Sequence, residues 1–245
     1  MTTKEIFESI GFDGEYRINT EEFYYKYFNS ETDMHQFIIE VLKNDDEDNT
    51  HRRMINQVRR FVEMANASDN IDHGVDSLKI LFLCCCLESL SKLSSCKKTD
   101  FYKKLAECFN EEDKEYILSS FIFMDVYTQP KGTQSSFENC NKVYNLTIDD
   151  FLNVMRQARN SAVHEGKYWE MQFFSNKSDV HLCVSMQTNE KMLPDDCYSP
   201  KKGENVVYAF TTTMLYERFI GCFVRCCVNY IMKYVRGKEA ELNNG

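Results

Sequence analysis

Three side chains able to do acid–base and phosphate chemistry stand within six residues of one another: Arg159, Asn160 and His164, in the stretch RNSAVHEG. A neutral imidazole, titrating near pH 6.5, can take the proton from a ribose 2'-hydroxyl. A guanidinium can hold the adjacent phosphate by two parallel hydrogen bonds and stabilise charge developing on it. An Asn can orient either group. In these roles His164 is the general base, Arg159 the phosphate clamp and Asn160 the orienting group. The chemistry is attack of a 2'-oxygen on the neighbouring phosphate, which needs no metal or other cofactor, and no carboxylate cluster suited to Mg²⁺ stands out in the sequence.

Helix geometry decides which of these groups face each other. Residues lie about 100° apart around the axis, so Asn160 and His164, four apart, share a face, and Arg156, four before Asn160, joins it. Arg159, five before His164, lies about 140° away. The pair reaches one phosphate in one of three ways. The Arg arm bends around the helix, the helix unwinds near Gly166, or a second copy of the chain supplies one group across a two-fold axis.

Several elements must position these groups. Thr147 opens their helix as a capping box, TIDD, with Asp150 three residues on. Phe151, Met155, Ala158 and Ala162 form its apolar stripe, and Gly166 is the expected stop. A second helix is expected from near Asp72 to Leu93; from Ile80 to Leu87 it has no polar gap, the mark of a central, buried helix. Glu88 follows that run. It either pairs with Lys92, four residues on, or orients Arg159 or His164.

Upstream, two short helical patterns have Thr20 and Thr32 as expected N-caps. After an acidic break over residues 44–49, an amphipathic segment carries Arg52, Arg53, Arg59 and Arg60 on one face. That face is either solvated and neutralised by the acidic break, or a phosphate-contacting stripe. Downstream, KKTDFYKKLAECF and NEEDKEYILSSFIFMDVY read as two helices. The segments KYWEMQFF and DVHLCVSM read as a small β-hairpin, followed by a surface loop and a long, mostly apolar last helix. His73 and His181 read as structural or exposed rather than catalytic.

The chain has 245 residues, 43% of them hydrophobic, with only three Pro and nine Gly, which favours a mainly helical protein. A net charge of -9 excludes a broad basic surface for nucleic acid and confines any such contact to a local patch. The eleven Cys cluster in apolar runs such as LFLCCCLESL and GCFVRCCVNY, as small buried hydrophobes do in a reducing cytoplasm. The acidic N-terminus lacks a signal-peptide core, and no apolar run reaches the ~20 residues a membrane span needs.

The motif also resembles the signature of the HEPN superfamily (higher eukaryotes and prokaryotes nucleotide-binding domains). That signature is an Arg, four to six residues, then a His near the end of a long helix, often with Asn directly after the Arg. RNSAVHEG is especially similar to the Apea-like and abortive-infection-type members, and FLCCCLESL with Glu88 looks like the family's earlier apolar helix. The resemblance covers roughly residues 71–236. It implies an antiparallel helical bundle of HEPN type, read here over 71–245; the hairpin and loop inserted at about 167–205 and the N-terminal helical extension of residues 1–70 have no counterpart in the resemblance. It implies a metal-independent endoribonuclease, a toxin or phage-defence effector, cleaving RNA as a homodimer with a composite active site. An antitoxin, a guide RNA or a sensor subunit would control it. Some members have lost catalysis and bind a protein or a structured RNA instead.

Overall fold

A computed structural model of the chain describes residues 2–243, apart from 12–13, 46, 71–75, 131–135, 168–169, 175–181, 189–191 and 202–203. Among the described residues there are nine α-helices and one four-stranded antiparallel sheet, so the chain is mainly helical. No described helix is long and apolar enough to cross a membrane. Two compact units divide the chain: unit 1 holds residues 1–63, 85–109 and 220–245, and unit 2 holds 64–84 and 110–219.

Unit 1 is helical. Its elements are α1 (Thr3–Ser9), α2 (Gly14–Tyr25), α3 (Glu31–Lys43), most of α4 (Thr50–Ala67), the second half of α5 (Asp76–Leu93), α6 (Lys98–Ala106) and most of α9 (Tyr216–Asn243). Tyr24 is wholly buried, and its hydroxyl donates to the Ile55 carbonyl at 2.7 Å, so the one polar atom of a large apolar ring is satisfied. Residues 1–63 share unit 1 with residues 85–109 and 220–245. His51 meets the Tyr234 ring edge-on at 5.6 Å, and Arg236 Nε donates to Glu40 at 2.6 Å. Two expected caps are also displaced. Thr20 lies inside α2 with its hydroxyl on the Tyr16 carbonyl, and Ser30, not Thr32, caps α3.

Unit 2 builds the sheet against α8 (Ile148–Glu165). Strand order is β2-β1-β4-β3, with β1 at Phe121–Pro130, β2 at Glu138–Asn139, β3 at Leu182–Thr188 and β4 at Glu204–Thr212. The segment read as one helix through Tyr127 splits: α7 (Glu111–Ser120) is capped by Asn110, and β1 follows directly. A continuous apolar run does not distinguish a strand from a buried helix. Here alternation decides, with Phe121 and Phe123 buried and Ile122 and Met124 exposed. The expected hairpin also changes partners: β3 pairs with β4, and residue 174 makes only an isolated bridge to Leu215. Val206, Tyr208 and Phe210 point inward from β4. Phe121 stacks on Phe210 at 5.0 Å and meets Phe151 of α8 edge-on at 5.5 Å, fixing the sheet on the helix.

Candidate functional site

The side chains of α8 divide cleanly. Phe151, Met155, Ala158 and Ala162 are each at most 1% exposed, and the Cys84 thiol of α5 donates to the Met155 carbonyl at 3.7 Å. Both ends are built as the sequence predicts. The Thr147 hydroxyl accepts from the Asp150 N–H, and the Asp150 carboxylate accepts from the Thr147 N–H at 2.8 Å. At the other end Gly166 adopts φ +66°, and the N–H groups of Gly166 and Lys167 turn back to the Ser161 carbonyl.

The helix stays regular through Glu165, so it does not unwind between Arg159 and His164. The turning is done by the side chain. Arg159 Nη1 donates to Asn160 Oδ1 at 3.0 Å. Asn160 lies about 100° around the axis from Arg159, in the direction of His164 and only about 40° short of it. The bond ties the guanidinium to a residue on the face that carries the imidazole. His164 is exposed, with no hydrogen bond or ion pair among the described residues, and its neighbour Val163 is 48% exposed.

Arg156, on the same face as Asn160 and His164, is half-buried. Its Nε and Nη2 donate to Asn153 Oδ1 at 3.2 and 2.6 Å, and Asn153 Nδ2 donates in turn to the Met192 carbonyl. The sequence signal for Asn153 is its spacing of three from Arg156, which puts both on one helix face. Just beyond Gly166, Lys167 pairs with Glu165 at 2.5 Å and lies 3.8 Å from Glu170, a buried carboxylate the sequence pattern did not mark.

No family model matches the chain, and no curated protein or solved structure matches it. What the site can do is therefore read from its own groups.

The remaining expected site residues lie in unit 1. Glu88 is half-buried on α5; Lys92 is exposed and makes no ion pair among the described residues, so the expected Glu88–Lys92 pair is not formed. On α4, Arg52 lies 3.9 Å from the Asp45 carboxylate, which also accepts the His51 and Arg52 N–H groups. Arg59 reaches Glu63 at 3.5 Å and Asn56 at 3.3 Å, with its guanidinium over the Tyr16 ring. Arg53 and Arg60 are exposed. The four arginines thus form two pairs, an inner pair held by acids and an outer pair in solvent. His73 and His181 lie outside the described residues.

Proposed function

We propose that the protein is a metal-independent endoribonuclease of the HEPN type, built on that family's helical bundle and acting in the cytoplasm as a toxin or phage-defence effector. His164 takes the 2'-hydroxyl proton, Arg159 holds the scissile phosphate, and Asn160 orients Arg159. The reading is carried by the Arg159–Asn160 hydrogen bond, which ties the guanidinium to a residue that shares a helix face with the exposed imidazole. The carbonyls ending α8 carry partial negative charge and disfavour a phosphate there, so positive groups on this face are needed to hold one. A homodimer would add a second set of the same groups across a two-fold axis, and the exposed Val163 beside His164 supports such a contact. A guide RNA, an antitoxin or a sensor subunit would then control access.

His164→Ala should lower RNA cleavage by about 10²–10⁴, and Arg159→Ala should remove it, both with unchanged circular dichroism. A chelator should leave the wild-type rate intact, and a 2'-deoxy substrate should resist. Cleavage by purified His164→Ala at the wild-type rate would sink the reading. The net charge of -9 favours one alternative, a non-catalytic module whose motif binds a protein partner. Stoichiometric capture of one partner by an inert wild-type protein would select it.

A further inference from the structure

The basic side chains of this molecule are not electrostatically equal. Arg52, Arg59, Lys79, Lys167 and Arg236 each have a carboxylate within 4 Å. Arg156 has none among the described residues. It is held instead by a neutral amide, with two of its N–H groups on Asn153 Oδ1, and Asn153 is anchored in turn to the Met192 backbone. A guanidinium has five N–H donors, so Nη1 and one N–H of Nη2 remain available. Fixing a cation with a neutral partner immobilises it without cancelling its charge. A carboxylate at position 153 would have given a stronger bond and a neutral pair.

The position of this charge matters as much as its freedom. Arg156 lies eight residues before His164 on the same face, about 12 Å along the helix axis. That spans about three or four stacked nucleotides of a single strand, at roughly 3.4 Å each. We infer that Arg156, positioned by Asn153, is a second phosphate-binding point, and that the α8 face takes a single RNA strand several nucleotides long rather than one isolated phosphodiester. The inference rests on the proposed reading for its substrate class and adds a direction: the strand runs from His164 toward the segment at Met192. Asn153 is a positioning residue, acting through Arg156.

The test is binding of a fluorescent 2'-O-methyl hexanucleotide, which cannot be cleaved, to the full chain over a range of salt. Arg156→Ala should weaken binding about tenfold and lower the slope of log Kd against log salt by about 0.7, one phosphate contact on a single strand. Asn153→Ala keeps the charge but frees it, so affinity should fall while the slope stays at the wild-type value. Arg156→Lys should likewise keep the slope. Thermal melts of all three exclude misfolding. Wild-type affinity and slope in Arg156→Ala would overturn the inference even if the protein cleaves RNA. An Arg156-dependent slope in a protein whose cleavage survives His164→Ala would uphold this subsite while the catalytic reading fell.

Discussion

At the scale of single residues, Asn160 does the least obvious work. It has no acid–base chemistry of its own, yet its carbonyl oxygen takes a hydrogen bond from Arg159 that redirects a charge around the helix. Removing the acceptor should loosen the guanidinium and cost about 1.5–3 kcal/mol in the transition state, or roughly ten- to a hundred-fold in cleavage rate. Asn160→Ala measured on a short RNA checks this, and an unchanged rate would show that Arg159 is held elsewhere. Asn160→Asp separates holding from charging. The aspartate would bind Arg159 more tightly but neutralise it, so its expected loss of activity comes with weaker substrate binding. The motif residues were legible in the sequence because their types and spacing state their chemistry. The Asn160 and Asn153 bonds were not, because an amide shows no preference for a partner until side chains take up rotamers.

At the scale of elements, α8 depends on its two ends. Thr147→Ala removes the hydroxyl that accepts the Asp150 N–H, and should lower unfolding free energy by about 0.5–2 kcal/mol in urea titrations. Gly166→Ala meets no steric obstacle, since nothing lies within 4 Å of an added Cβ, but must hold a side chain at φ +66°. Its expected cost is about 1 kcal/mol, and Gly166→Asn should cost less. Equal stability of wild type and Gly166→Ala would mean the helix end re-forms differently. These ends were readable because capping is local chemistry between residues three or four apart. The boundary between α7 and β1 was not. The stretch SSFIFMDVY is apolar enough for either state, and the pairing of Phe123 with Phe210 across β4 decides it.

At the scale of the whole molecule, the buried titratable groups set a pH limit. Burial pushes the Tyr208 and Tyr230 hydroxyls up to about 12, and burial, with Asp196 and Asp150 nearby, pushes the Cys197 thiol up to about 11. As pH rises past the ordinary values of these groups, the unfolded chain releases protons that the folded chain still holds, so stability falls. Lys79 acts in the same direction. Burial opposes its charge, but hydrogen bonds to Asp69 and Asp76 outweigh that and raise its pKa, so its contribution is full below the ordinary lysine value and lost above it. Melting temperature should therefore hold from about pH 7 to 8.5 and fall steadily above about pH 9. A melting temperature that is flat to pH 11 would contradict the burial of these groups. Within the units, the mainly helical class, most of the buried cysteines, the caps of α8 and the face shared by Arg156, Asn160 and His164 were already legible in the residue pattern. All of these follow from periodicity and from contacts a few residues apart. Long-range packing settled that residues 1–63 join most of the last helix in one unit and that β4 is the partner of β3, and a side-chain rotamer settled that Arg159 bonds Asn160. Each is settled by partners that are distant in the chain or by a rotamer, and neither is written in local spacing.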